Sequence, residues 1–150
     1  MGLKEKLQAD LTDAIKARNE TKAGTIRMVL AAITTEEVSG KQARVLSDAE
    51  IITVLSREAK KRREAIDAYA AANRADLVAK EKSESDVISA YLPEQLSDSE
   101  IEKLVQDAIS QTGASGASGM GQVMKFLQPK IAGKADGGKV SAIVKKALGS

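Results

Sequence analysis

Apolar residues recur every three or four positions along most of the chain, and polar residues fill the positions between them. In the first segment this spacing is carried by Leu3, Leu7, Leu11 and Ile15, with charged side chains on the other side. One face of a helix has this period, because an α-helix turns once in 3.6 residues. The pattern predicts an amphipathic helix over residues 3–18. Segments with a similar period follow at 23–33, 51–70, 77–92, 101–109, 120–127 and 140–148.

Two stretches have the sequence of a helix start. Ser47 to Glu50 and Ser97 to Glu100 both read Ser-x-x-Glu before an apolar run. In such a capping box the serine hydroxyl accepts from the third backbone N–H, and the glutamate reaches back to the serine N–H. Other boundary residues predicted from the same kind of signal are Gly40 and Gly113 as helix ends, Asn73 as a break and cap, Pro129 as a stop, and Asp136 as the last cap.

The chain is predicted to divide at Pro93. A proline disfavours the helical conformation of the residue before it, so the helix that carries Leu92 is expected to end there. We predict an N-terminal domain over 1–92, a helical hairpin or bundle, and a C-terminal domain of about three short helices over 93–150. A piece this small has a marginal core by itself. It is expected to lean on the first domain or to move relative to it.

Composition supports an all-α fold. Of 150 residues, 64 are hydrophobic, 24 of these are alanine, and only three are aromatic. Alanine is the best helix former, and aromatic residues favour strands. The absence of Cys and His excludes disulfides, thiol nucleophiles and His-dependent catalysis or zinc binding within this chain. No apolar run is long enough for a signal peptide or a membrane span, so we expect a soluble cytoplasmic protein without membrane contact.

The net charge of +2 hides a strong segregation of charge. Residues 1–92 have 16 basic and 15 acidic side chains, whereas residues 93–118 have one basic and five acidic ones. Residues 119–150 have six lysines and one acid, Asp136. The three segments therefore have net charges of +1, −4 and +5.

The basic C-terminal segment has two interpretations. Lysine is a flexible point charge that suits phosphate without reading bases, which favours contact with a nucleic-acid backbone. The alternative is a solvated surface, in which Lys145 and Lys146 complement the negative end of the last helix. A second basic cluster, Arg57 to Arg63, also has two interpretations. It is either a binding surface or an ordinary surface of ion pairs, since Glu64 is placed to pair with Lys60 or Lys61.

The glycine-rich stretch from Gly116 to Gly121 precedes a predicted helix. Backbone N–H groups at such a junction can hold a phosphate. The stretch lacks the Gly-Lys-Ser/Thr of a P-loop and the preceding strand of a dinucleotide site. A flexible hinge is therefore the favoured interpretation.

Several motifs, in this order and spacing, resemble the YqeY proteins of the GatB/YqeY group over nearly the whole chain. The motifs are Arg27-Met28, Lys61 to Ile66 with Tyr69, Tyr91 to Leu96, Met120 to Lys125, and Gly133 to Gly137. The resemblance implies a two-domain, all-helical fold. It also implies kinship with the tail of the B subunit of the glutamine-dependent tRNA amidotransferase, a carbon–nitrogen ligase that uses glutamine as amide donor.

In that amidotransferase the tail holds tRNA by its backbone, while other domains do the chemistry. The tail has a similar Gly-Gln-Val-Met-Lys run followed by Gly-Lys-Ala-Asn. This chain has seven residues between the two runs, where the tail tends to have fewer, and Asp where the tail usually has Asn. The corresponding motif residues here are Gly121, Gln122, Val123, Met124, Gly133, Ala135 and Asp136, and the candidate phosphate contacts are Lys125, Lys130, Lys134 and Lys139.

The sequence supports three functional hypotheses. The leading hypothesis is an accessory tRNA-binding module, without cofactor or metal and not catalytic alone. The second is a protein–protein adaptor that presents the helical C-terminal domain to a partner. The third is an amidotransferase in its own right, which the absence of His, Cys and a nucleotide fingerprint disfavours.

Overall fold

The computed structural model describes residues 2–149, and within that range it contains seven α-helices, one short 3-10 helix at Ala117–Gly119, and no strand. The prediction of an all-α fold is confirmed. The helices are α1 Leu3–Lys16, α2 Glu20–Glu37, α3 Asp48–Ala71, α4 Ala75–Ser89, α5 Asp98–Thr112, α6 Met120–Ile131 and α7 Gly137–Ala147. No helix in the described range is long and apolar enough to cross a membrane.

The tertiary contacts group the chain into two compact units, one up to Leu92 and one from Pro93 onwards. Each unit has a hydrophobic core of its own. Whether the units are independent domains stays a prediction.

The N-terminal unit is built from two helical hairpins. Helix α1 packs against α2, α3 packs against α4, and α2 contacts both α3 and α4. The predicted apolar stripes supply most of the core, because helical spacing brings residues three and four apart onto one face. Leu46 lies outside these stripes, and Ile15, predicted on the apolar face of the first helix, is 49% exposed. The buried core residues are Leu7, Ile26, Val29, Ile33, Leu46, Ile51, Val54, Leu55, Ala59 and Ile88.

The C-terminal unit consists of α5, α6 and α7, and each of these helices contacts the other two. Gly113, with φ of +65°, ends α5 as predicted. Asp136 caps α7 as predicted, since its carboxylate accepts from the Gly138 N–H at 3.1 Å. The buried core residues are Ile101, Val105, Ala108, Val123, Leu127, Ile131, Val140 and Val144.

Both predicted capping boxes are confirmed. The Ser47 hydroxyl accepts from the Glu50 N–H at 3.3 Å, and the Glu50 carboxylate accepts from the Ser47 N–H at 3.0 Å. The same pair of bonds joins Ser97 and Glu100, at 3.2 and 2.9 Å. Each box satisfies backbone N–H groups that a helix start otherwise leaves unpaired.

Two predicted helix ends and one predicted cap are wrong. Pro129 lies inside α6, which continues to the buried Ile131 because one proline near a helix end removes a single backbone bond. Asn73, with φ of +57°, breaks the helical run between α3 and α4 as predicted, but Arg74 rather than Asn73 occupies the cap position of α4. Helix α2 ends at Glu37 with Val38 as its cap residue, so Gly40 lies beyond the helix end.

Candidate nucleic-acid interface

Lys125 lies on the solvent side of α6. The helix buries Val123, Leu127 and Ile131 in the core of the C-terminal unit. Lys125 is two positions from both Val123 and Leu127, which places it on the opposite side of the helix. It is exposed and has no side-chain partner within residues 2–149. Its ammonium group is therefore available to an external anion.

The other residues of the Gly121 to Lys125 run have different roles. Val123 is fully buried, and Met124 packs against the same core. The Gln122 amide donates to the Thr112 carbonyl at 3.3 Å, which links α6 to the end of α5. Gly121 is exposed, and a Cβ there would contact nothing within 4 Å. Core packing thus accounts for Val123 and Met124, and a hydrogen bond accounts for Gln122. Gly121 and Lys125 are exposed and have neither role.

The loop that contains Gly133 and Lys134 is held by the segment after Pro93. The Gln95 amide donates to the carbonyls of Pro93 and Gly133 at 2.7 and 2.8 Å. The Leu96 N–H donates to the Lys134 carbonyl at 2.9 Å. Two motifs that are distant in sequence therefore meet, and the backbone rather than the side chain of Lys134 makes the contact.

Each remaining residue of this loop has a structural role. Gly133 has φ of +73°, a conformation that L side chains rarely adopt. Ala135 packs against the core, and Asp136 caps α7. Asn at this position would offer the same cap, since its side-chain carbonyl also accepts from a backbone N–H. The side chain of Lys134 is exposed and has no partner among the described residues.

The other two candidate lysines are paired with acids of α5. Lys130 lies 3.8 Å from the Asp107 carboxylate and 4.7 Å from the centre of the Phe126 ring. Lys139 pairs with Asp98. Asp98 and Asp107 are nine residues apart, two and a half helical turns, so they lie on opposite sides of α5. The structure therefore does not bring Lys130 and Lys139 together, and contact of any of the four lysines with RNA stays a prediction.

The basic cluster on α3 is largely taken up by ion pairs. Lys61 pairs with Glu58 at 3.1 Å instead of Glu64. The Arg62 guanidinium bridges the carboxylates of Glu81 and Glu84 on α4, at 3.0 and 3.1 Å, and all three side chains are mostly buried. These pairs favour the interpretation of this cluster as part of the helix packing.

Two polar contacts of the N-terminal unit were not visible in the sequence. The Tyr91 hydroxyl donates to the Asp10 carboxylate at 2.6 Å, and burial followed by this bond raises the pKa of Tyr91. The Glu37 carboxylate accepts from the Lys4 ammonium at 2.7 Å and from the Leu46 N–H at 3.2 Å. Both contacts join residues far apart in the chain, and helical periodicity carries no signal for such pairs.

No group of three acidic side chains within residues 2–149 is arranged to hold a metal ion.

The pKa of Glu37 is lowered chiefly by the bond from Lys4 and then by the bond from Leu46. These pKa shifts accompany structural contacts.

Comparison with known proteins finds relatives in fungi. The chain is 30% identical over 148 residues to "Altered inheritance of mitochondria protein 41, mitochondrial" of Pyrenophora tritici-repentis, which covers 97% of this chain and 80% of that protein. It is 35% identical over 98 residues to the Saccharomyces cerevisiae protein of the same name, covering 64% of this chain and 51% of the relative. An uncharacterised protein of Schizosaccharomyces pombe is 33% identical over 91 residues, covering 61% and 72%.

The expectation of a cytoplasmic protein is wrong in the light of these relatives. The Pyrenophora and Saccharomyces proteins are named as mitochondrial. The expectation depended on the absence of Cys and of long apolar runs. Both features are equally compatible with the interior of an organelle, so they do not determine the compartment.

The match to a known family covers almost the whole chain. The YqeY-like protein family matches residues 4–148, a range that includes α2 to α7 in full and all of α1 except Leu3. The motifs that resemble this family lie in both units, from Arg27 on α2 to Gly137 at the start of α7. The chain belongs to the YqeY-like protein family.

Proposed function

We propose that this protein is an accessory module that binds tRNA by its phosphate backbone and has no catalytic activity alone. The observation that carries the proposal is the placement of Lys125 and Lys134. Both are exposed, neither has an acidic partner within residues 2–149, and both lie in the two runs that resemble the tRNA-holding tail of the amidotransferase B subunit.

The chemistry of the surface supports backbone contact rather than base recognition. The cations of α6 and α7 are all lysines, which suit phosphate as point charges. The single aromatic side chain of the C-terminal unit, Phe126, packs against the core and stacks with Lys130. Base stacking needs an exposed aromatic surface, so binding is expected to depend little on RNA sequence.

Binding of the full chain to bulk tRNA, measured by fluorescence anisotropy at two salt concentrations, tests the proposal. We expect binding that weakens steeply as salt rises, because phosphate contacts release counterions. The variants Lys125→Ala and Lys134→Ala should each weaken binding and reduce the salt slope by about 1. Lys41→Ala, an exposed lysine of the N-terminal unit, is the matched control. No binding at low salt, or equal loss in the control, would refute the proposal.

A second function, a protein adaptor using the C-terminal unit, is favoured by one observation. Lys130 and Lys139 are neutralised by Asp107 and Asp98, and residues 93–150 as a whole have seven basic and six acidic side chains. A unit with a net charge of only +1 suits a protein partner, which does not require the excess of positive charge that a phosphate backbone attracts. A complex with a defined protein that survives nuclease treatment and is lost in Lys125→Glu would favour this function over RNA binding.

A further inference from the structure

A groove of about 510 Å³ lies in the N-terminal unit, where α1 ends and α2 begins. Ala14 and Ala23 line it and are 3% and 4% exposed, so small buried side chains form its floor. Ile15 lies beside them with 49% of its surface exposed. An apolar side chain entering the groove would cover Ile15 and displace water from it.

Two arginines that have no acidic partner within residues 2–149 line the same groove. Four other arginines form ion pairs: Arg44 with Glu50, Arg57 with Glu36, Arg62 with Glu81 and Glu84, and Arg74 with Asp76. Arg18 and Arg27 have no carboxylate partner among the described residues. Glu20 also lines the groove but forms no ion pair with Arg18 or Arg27. It lies in the first turn of α2, where its negative charge interacts favourably with the positive end of the helix dipole.

The backbone of Arg18 points to a role for its side chain. Its φ is +57°, in the left-handed region that is costly for a residue with a long side chain. The link between α3 and α4 has the same φ at Asn73, a residue type that tolerates it better. Gly or Asn would adopt this turn with less backbone strain. The strain at Arg18 therefore suggests a role for its guanidinium group other than forming the turn.

We propose that this groove binds a segment of a protein partner that has acidic residues beside apolar ones. An apolar side chain of the partner packs over Ala14 and Ala23 beside Ile15, and its carboxylates pair with Arg18 and Arg27. Guanidinium groups bind carboxylates through two parallel hydrogen bonds, which gives direction as well as affinity. The pairing of an apolar floor with two cations favours this partner over RNA, whose backbone offers charge without apolar side chains.

The test uses a displayed library of random peptides selected against the full chain. We expect the selected peptides to be enriched in Asp or Glu next to Leu or Ile. Their affinity, measured by anisotropy, should fall about tenfold or more in Ile15→Ser and in the double variant Arg18→Gly, Arg27→Gln. Arg18→Gly suits the left-handed backbone, so the fold is expected to persist, which circular dichroism checks.

Arg74→Gln, which removes an exposed arginine outside the groove, is the matched control and should leave the affinity unchanged. The proposal is overturned if no selected peptide depends on Ile15 and the two arginines, or if those that do lack acidic residues. It is also overturned if the groove variants weaken tRNA binding instead. Because the groove lies in the other unit, its failure leaves the proposed RNA surface untouched.

Discussion

Glu37 is a buried carboxylate that fastens three segments of the N-terminal unit. It ends α2, accepts from Lys4 on α1, and accepts from the Leu46 N–H in the segment before α3. Its own backbone carbonyl accepts from the Arg44 N–H at 2.9 Å. Its neighbour Glu36 is more exposed and pairs with Arg57 at 3.3 Å. The same residue type therefore has two roles at adjacent positions.

This difference predicts a pH-dependent effect of Glu37→Gln. The folded-state pKa of Glu37 lies below the ordinary value of 4.5, chiefly because of Lys4. Its charge therefore stabilises the fold above that value, and this stabilisation is lost as pH falls through the lowered folded-state pKa. We expect the variant to lower Tm at pH 7 and to approach the wild type as pH falls below 4.5. Glu36→Gln is the control, and a deficit in Glu37→Gln that is independent of pH would contradict the account.

Arg18→Gly should leave the stability unchanged or raise it. Relief of the left-handed strain offsets the greater freedom that glycine gives the unfolded chain, and the gain is expected to reach about 1 kcal/mol at most. Asn73→Gly, at the same φ, should gain less because Asn tolerates this conformation. Urea unfolding of both variants measures the difference. A clear loss of stability in Arg18→Gly would mean that its side chain supports the fold itself.

At the scale of the element, the sequence correctly predicts the start of a helix where the capping contacts involve residues close together in the chain. Ser47, Ser97 and Asp136 cap their helices as predicted, because the capping partners lie two or three positions away. The prediction for Pro129 was wrong because burial of Ile131, a tertiary effect, outweighs the missing backbone bond. The bonds from Gln95 to Gly133 and from Lys130 to Asp107 were not predictable, since no local pattern encodes them.

The two glycines that begin the family-like runs should respond to alanine with opposite signs. Gly121 is in the first turn of α6 with free space around it, so Gly121→Ala should stabilise the helix by up to about 1 kcal/mol. Gly133 has a left-handed backbone and is tied to Gln95, so Gly133→Ala should cost about 1–2 kcal/mol. Amide hydrogen exchange of α6 and α7 reports both changes, and equal effects of the two substitutions would contradict this explanation.

At the scale of the whole molecule, charge and packing follow the division at Pro93. The segregation of acids and lysines read from the sequence is confined to the C-terminal unit, where α5 supplies most of the acids and α6 and α7 most of the lysines. The ion pairs from α5 remove Lys130 and Lys139 from the set of unpaired cations. Composition alone therefore overstated the basic surface, and only the fold shows which lysines remain unpaired.

The two cores predict that the units lose structure separately. Leu55 is fully buried in the core of the N-terminal unit and Leu127 in that of the C-terminal unit. Truncating either to alanine should cost about 2–5 kcal/mol, since it removes apolar contacts and leaves a cavity. If each core is cooperative by itself, Leu55→Ala should accelerate amide exchange only up to Leu92, and Leu127→Ala only from Pro93 onwards. Exchange of the full-length variants, followed by mass spectrometry, locates the effect. Faster exchange across both units in either variant would show a single cooperative domain, and the C-terminal core would then depend on the rest of the chain.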